Sequence, residues 1–465
     1  MKVYNPTTEY KVDITEKAVQ KKLIEARDMY LHFKQNAIHT LDFQKENLHE
    51  IITQVYDKAK TEGIFQVAKD TREIVFGKNM HFYGVVYLWD ACVNSCTYCP
   101  GGVENRKKAI AEGKAYPLRE LTVDQAVEET LRVMEDGHTH VCYLAGSAPG
   151  RELLPNKMIP YLLAIDNIGL DEIILNIEPA TLEGFRKMRE VVKKTPLQFR
   201  VFQETYNLET YAKEHPKGPK ADYQFRREAQ ARAVQAGFDN IGLGVLFGLH
   251  RFPIEEIEGL RIHAQDLLTT YGKAPARICL PSANELVNIG NQIPYFLKRG
   301  IYENEKREKI IQMRDYELCN ELMYALGVIA MPFDENQAIV VPNNIVHSER
   351  DGPAMIEMLN PYGMCQTLNV QTAVGGNTNI FQCNNGQVHF EQATTFPRDP
   401  KTTIEKMREQ GLNPIIKKWW LKMKFERKPK DLEIVIKSII FGSLSGLTAH
   451  YINYPDELQK DFNYK

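Results

Sequence analysis

The 465-residue chain has no excess of charge of either sign: 58 basic against 60 acidic side chains leave a formal net charge of −2. That balance gives no electrostatic attraction to nucleic acid or to an anionic membrane surface. No apolar run is long enough to cross a bilayer. Met1-Lys2-Val3-Tyr4-Asn5-Pro6 lacks the apolar core of a signal peptide, so the expected location is cytoplasmic. Internal repeats and low-complexity tracts are absent. Cysteine is sparse, eight in the whole chain and none beyond Cys383. In a reducing compartment such a set argues against disulfides and for thiolates that hold a metal. Cys92, Cys96 and Cys99 are bunched, whereas Cys142, Cys279, Cys319, Cys365 and Cys383 are scattered.

What is present is an orderly alternation. Residues 17–32 and 42–63 carry apolar positions at spacings of three and four and read as helices. From Phe82 onward, short β-branched runs alternate with amphipathic stretches. The runs 83–88, 140–144, 172–177, 197–202, 240–247, 277–280, 328–331 and 366–370 predict strands. Helices are predicted over 122–137, opened by a Thr122…Gln125 capping box, and over 182–192, 222–237, 254–271, 303–326 and 402–411. This is the pattern of an α/β (β/α)8 TIM-type barrel, with a helical extension over 1–80, the barrel over 81–385 and a C-terminal helical cap over 386–465. Long connections after predicted strands, 99–120 and 280–302, are where such a barrel carries its chemistry. The basic stretch 417–430, with Trp419 and Trp420, reads as a solvated helix face.

The segment Cys92-Val-Asn-Ser-Cys96-Thr-Tyr-Cys99 follows the first predicted strand. A zinc knuckle or inert thiols would be the plain explanation, but zinc prefers paired C-x2-C units, and no second pair occurs. Spacings of three and two let three thiolates converge on one iron–sulfur cube and leave its fourth iron without a protein ligand, a catalytic arrangement.

C-x3-C-x-Tyr-C at this point of a barrel resembles the radical S-adenosylmethionine (SAM) superfamily. The resemblance implies a [4Fe-4S] cluster on Cys92, Cys96 and Cys99 whose open iron chelates SAM, with reductive cleavage to a 5′-deoxyadenosyl radical. Further along, Phe202-Gln-Glu-Thr-Tyr-Asn207, His215-Pro-Lys-Gly-Pro-Lys220 and the run from Ala236-Gly237 to Leu249 resemble the tyrosine-lyase branch: 2-iminoacetate synthases of thiazole biosynthesis and the tyrosine lyases that mature [FeFe]-hydrogenase. Gly375-Gly376, Phe390-Glu391-Gln392 and Gly411-Leu-Asn-Pro414 are similar to the close of the thiazole-type enzymes. The resemblance spans roughly residues 75 to 420.

By that resemblance, Gly146 and Ser147 receive the amino group of SAM, against the alternative of a plain turn. Gln203 and Glu204 face the barrel mouth, where Glu204 would bind the ribose or methionyl part or else form a rim salt bridge. Arg226 matches the arginine for the SAM carboxylate, with Arg232 close by on the same helix and a solvated role open to both. Glu178 either faces SAM or caps the next helix, and Tyr98 packs near the adenine. His138, His140, His215 and His250 show no metal spacing.

Two departures bear on the reaction. Hydrogenase-maturation lyases carry a second cluster on C-terminal cysteines, which this chain lacks. Tyrosine lyases also place arginines after strands six and seven. The corresponding segments here read Leu280-Pro-Ser282-Ala-Asn284-Glu285 and Ala330-Met-Pro-Phe-Asp334-Glu335, a neutral or acidic pocket that would repel a free carboxylate. Arg277 is expected to point away from it. The expected activity is a radical SAM lyase-like enzyme that fragments or rearranges an amino-acid-like small molecule, with tyrosine Cα–Cβ cleavage as the branch default. A radical SAM cofactor-biosynthesis or maturation enzyme and a non-catalytic iron–sulfur scaffold are the alternatives. The expected partners are a small-molecule substrate, a low-potential flavodoxin- or ferredoxin-type electron donor and a biosynthetic partner protein, with neither nucleic acid nor membrane.

Overall fold

The computed structural model describes residues 16–77, 79–99, 101–111, 120–135, 138, 140–280 and 313–330, together with short segments within 333–348, 367–391 and 408–415. Alternating inward and outward side chains build a ring of parallel strands: β1 (Asn79–Trp89), β2 (His140–Ala145), β3 (Glu172–Asn176), β4 (Leu197–Arg200), β5 (Asn240–Gly244), β6 (Arg277–Cys279), β7 (Ile345–Ser348) and β8 (Thr367–Asn369). Each pairs with the next in parallel register, and β8 returns to β1 through His81↔Thr367 and Tyr83↔Asn369, which closes the barrel. Asn413–Ile415 adds a further parallel strand beside the first residues of β1, within the segment expected to be a helical cap.

Outside the ring lie the crossover helices α4 (Val103–Ala111), α5 (Val123–Glu135), α6 (Leu154–Ile165) and α7 (Leu182–Val191), then α8 (Leu208–Glu214), α9 (Tyr223–Arg227), α10 (Ala229–Gln235), α11 (Pro253–Tyr271) and α12 (Met313–Ile329). The capping box expected at Thr122 forms: its N–H donates to Gln125 Oε1 at 2.9 Å and its hydroxyl accepts from the Gln125 N–H at 3.2 Å. The helix expected over 222–237 is broken at Glu228 into α9 and α10.

The N-terminal section forms α1 (Lys17–Ala37), α2 (Leu48–Thr61) and α3 (Ile64–Phe76). Leu23, Tyr30 and Phe33 of α1, Ile52 and Val55 of α2, and Phe65 and Ala68 of α3 are buried in the same core as α12. Polar ties pin this layer to the barrel helices: Tyr56 donates to Glu321 Oε2 at 2.8 Å, and Lys34 pairs with Glu258 at 3.0 Å.

The run 328–331, expected as the seventh strand, instead ends α12, and Ile345–Ser348 is the strand that pairs between β6 and β8. The reason is length. Val328-Ile-Ala continues a buried apolar helix face, which over so few residues has no periodicity of its own. The predicted helices over 303–312 and 402–411 lie outside the described residues, apart from the helical Arg408.

Candidate functional site

β1 ends at Trp89, and the following turn carries Cys92, Cys96 and Cys99 above the carboxyl ends of the strands. α4 grips that turn from below. Asn105 Nδ2 reaches the carbonyls of Cys99 at 2.8 Å, Thr97 at 3.2 Å and Cys96 at 3.3 Å. Arg106 donates to Gly101 O at 2.8 Å and Cys92 O at 2.9 Å. The end of α8 and the Pro216–Lys220 loop fasten the other side, with Thr97 N–H donating to Glu214 O and Ser95 N–H to Lys217 O, both at 3.0 Å. Gly218, at φ +97°, lets this loop approach: a Cβ there would stand 2.4 Å from Asn94 Oδ1.

Burial pushes the Cys96 thiol up to about 12 and the Cys99 thiol up to about 11, with neighbouring cysteine charge adding to both. The thiols are therefore protonated in the metal-free chain, and metal loading must expel protons. Among the described residues no three His, Cys, Asp or Glu side chains stand at single-ion ligand spacing. Ligands of an iron–sulfur cube each serve a different iron, so their sulfurs stand farther apart than ligands of one zinc.

Asn94, between the first two cysteines, is the hub of the site. Its Nδ2 donates to Ser147 Oγ at 2.7 Å and reaches Glu178 Oε2 at 3.4 Å, while its Oδ1 accepts from the Lys220 N–H at 2.9 Å. The Ser147 hydroxyl donates to Glu178 at 2.8 Å. Glu178 thus faces Ser147 and the cysteine loop, and the cap of α7 is Thr181, whose Oγ1 accepts from Gly184 N–H at 3.1 Å. Gly146 is held tightly: its N–H donates to Trp89 O at 2.9 Å and its carbonyl accepts from Trp89 Nε1 at 2.8 Å. A Cβ at Gly146 would lie 2.2 Å from Ala91 O, so the cysteine loop and the β2 edge interlock only with glycine there.

Beyond β4, Gln203 and Glu204 continue toward the mouth. Glu204 is a non-glycine residue at φ +71°, a conformation held by its carbonyl accepting from Leu246 N–H at 2.8 Å. Its buried carboxylate pairs with Lys220 and stands 3.6 Å from Arg226 Nη2. Arg226 is anchored through Nε to Phe202 O at 2.7 Å, which aims the rest of its guanidinium at Glu204. Arg232 is not brought to this group. It stacks on Phe225, donates to Ala180 O and Phe225 O, and stands 3.6 Å from Glu228.

The Lys220 ammonium also donates to Tyr98 Oη at 3.0 Å, and Tyr98 Oη lies 3.0 Å from His215 Nε2. Burial and the Lys220 charge hold His215 well below its ordinary range, so the ring is neutral. With its Nδ1–H on Tyr211 O at 2.9 Å, Nε2 accepts from Tyr98. Asn94, Lys220 and Asn105 were missed in the sequence. The glycine between Lys217 and Lys220, which implies close backbone approach, was the available signal for Lys220.

Of the expected substrate residues, Ser282, Asn284, Glu285 and Glu335 lie outside the described residues. Asp334 belongs to the short strand Phe333–Asp334, which pairs antiparallel with Ile339–Val340 ahead of β7. It therefore does not follow the seventh barrel strand, and the expectation drawn from that segment is corrected. In sequence, β7 is followed by Glu349, Arg350 and Asp351, so an arginine does stand directly after strand seven. Arg277, expected to point elsewhere, opens β6 and is buried against Glu172 of β3.

The residues present fit a cluster and SAM. Three thiols occupy a clamped turn, carboxylates and a guanidinium face the same mouth, and the buried Gln203 Nε2 has no hydrogen-bond partner.

No family model matches the chain. It is 29% identical over 192 residues to 2-iminoacetate synthase of Escherichia coli (strain K12) and 27% identical over 190 residues to that of Salmonella typhimurium (strain LT2). Each match covers 40% of this chain and 46% of the relative, so the chain spans about half the length of the curated relatives it matches. Its fold is similar to that of HydG, a maturase of the [FeFe]-hydrogenase, with TM-score 0.58 and 22% identity over 97% of this chain and 91% of that one. HydG from Carboxydothermus hydrogenoformans gives TM-score 0.59 at 20% identity, over 94% of this chain and 98% of that one. Methylornithine synthase (PylB) gives 0.52 at 15%, over 87% and 99%. In sequence the chain is similar to 2-iminoacetate synthases, and in fold to HydG and PylB.

Proposed function

We propose that this chain is a radical SAM enzyme of lyase type, acting on an amino-acid-like small molecule. The observation that carries the reading is the Asn94 hub, which ties the cysteine turn to Ser147 after β2, Glu178 after β3 and the Lys220 loop. Cys92, Cys96 and Cys99 would hold the [4Fe-4S] cluster. When bound, the cluster supplies the electron that breaks a carbon–sulfur bond of SAM and yields a 5′-deoxyadenosyl radical for hydrogen abstraction.

The chain's own residues bind and orient. Glu178 and Glu204 offer carboxylate acceptors to an ammonium group and to ribose hydroxyls, and Arg226 offers charge-assisted donors to a carboxylate. Lys220 keeps Glu204 and Tyr98 in place. The closed ring of strands keeps water and stray hydrogen donors from the reacting carbon. The electron would come from a flavodoxin- or ferredoxin-type donor.

Anaerobic reconstitution with iron and sulfide, followed by dithionite and SAM, is expected to produce 5′-deoxyadenosine, and Cys96→Ala is expected to abolish it. A fully loaded cluster that leaves SAM intact would assign the chain to the scaffold class instead. Candidate substrates deuterated at the abstracted position should pass deuterium into 5′-deoxyadenosine. Tyrosine with p-cresol as product is the first to try, since the curated relatives are 2-iminoacetate synthases.

A further inference from the structure

Beneath the mouth, the barrel interior holds a cation that the site above does not use. Arg200 of β4 points inward and is only 1% exposed. Its Nη2 donates to Cys142 Sγ of β2 at 3.0 Å, and its guanidinium carbon lies 4.5 Å from the centre of the Tyr83 ring of β1. Nε and Nη1 are buried without a hydrogen-bond partner. The space for this side chain is made by its neighbour in register, Gly242 of β5, where a Cβ would lie 2.7 Å from Arg200 Cγ.

Among the described residues, the nearest level of the interior offers no counter-charge. Glu172 of β3 is already paired with Arg277 and also accepts from Asn240. The groups that act on Arg200 are Tyr83 and the thiols of Cys142 and Cys279, none of them a carboxylate. A buried guanidinium with unused donors is strongly unfavourable unless an anion reaches it. Structural arginines in cores are normally satisfied by carboxylates or backbone carbonyls, whereas among the described residues this one has only the Cys142 thiol and Tyr83. Its place inside a ring whose mouth carries the cysteine turn and Glu204 marks the anion as a ligand that enters the barrel.

We propose that Arg200 is the carboxylate receptor of the substrate chamber, its free donors binding the α-carboxylate of an amino-acid-like substrate while Tyr83 and Cys142 hold the guanidinium in place. This rests on the small-molecule reading above and names the substrate class: a free, unmasked carboxylic acid. It replaces the expectation of a pocket that repels carboxylates. The cation comes from β4, a strand that carries no expected clamp.

The test is thermal unfolding of the iron-reconstituted, unreduced protein with each of the twenty common L-amino acids at millimolar concentration, against the amines that lack the carboxylate. At least one amino acid is expected to raise the midpoint while its amine does not. Arg200→Gln is expected to weaken that binding about 100-fold, and Arg200→Lys, which keeps the charge but not the planar donors, to weaken it less. Unchanged iron content in both variants shows that they fold. No stabilisation by any amino acid, equal stabilisation by the amines, or an undiminished shift in Arg200→Gln would overturn the proposal. Because nothing here depends on SAM cleavage, a failure of 5′-deoxyadenosine formation would sink the enzymatic reading alone.

Discussion

Single residues decide how firmly the mouth of this barrel is built. Lys220 joins the buried Glu204 carboxylate to Tyr98, and its removal takes the nearest cation from Glu204 and a donor from the Tyr98 hydroxyl. Lys220→Met should therefore destabilise the chain by about 1–3 kcal/mol, measured by denaturant unfolding, and an unchanged midpoint would contradict the network. Glu256 of α11 supports the same turn by accepting from the Thr205 hydroxyl and from Tyr206 N–H at 2.8 Å. Burial raises its carboxyl from the ordinary 4.5 to about 7. The folded chain thus holds a proton that the unfolded chain has already lost, so stability falls as pH rises from about 4.5 to about 7. The loss is on the order of 3 kcal/mol, and Glu256→Gln should flatten that slope in thermal unfolding at pH 5 against pH 8. At this scale the sequence was readable where chemistry dictates spacing, as in Cys92, Cys96 and Cys99. Glu204 was readable from its place at the end of a strand. Asn94, Asn105 and Arg200 were not, because an asparagine in a turn and an arginine in a strand acquire meaning only from what folds against them.

At the scale of elements, the loading of the cluster rests on two clamps, α4 and the β2 edge. Asn105→Ala removes the group that reaches three carbonyls of the cysteine turn, and Gly146→Ala forces a Cβ against Ala91 O. Both variants should fold and yet retain less iron after reconstitution, Gly146→Ala the less of the two, as read by iron and sulfide content. Full loading in both would show that the turn forms unaided. The first six strands were legible because β-branched runs alternate with capped amphipathic helices. The seventh was misplaced because the apolar end of α12 mimics a strand, whereas the true strand, Ile345–Ser348, is only four residues long and includes His347 and Ser348. That slip also put Asp334 after the seventh strand, which it in fact precedes.

Over the whole molecule, burial and metal are coupled. The high thiol pKa values mean that the metal-free chain carries protonated, desolvated sulfurs, and binding to the folded state alone adds stability. Reconstitution should raise the thermal midpoint of the wild type, more at pH 8 than at pH 6.5 because protons are released, and leave Cys96→Ala unmoved. The closure of the ring has a kinetic side as well. The later half of β1 pairs with β2, but its first residues, 79–83, pair with Thr367–Asn369 and with Asn413–Ile415, segments far along the chain. During synthesis the strand that bears the cysteine turn emerges among the earliest parts of the barrel and finds these partners among the last. Contacts of such long sequence separation form slowly. Until they do, the open edge of β1 invites association with other chains. The nascent chain therefore depends on chaperone holding more than a locally wired helical protein of equal length would, even though every contact described for the cysteine turn is made by residues before 221.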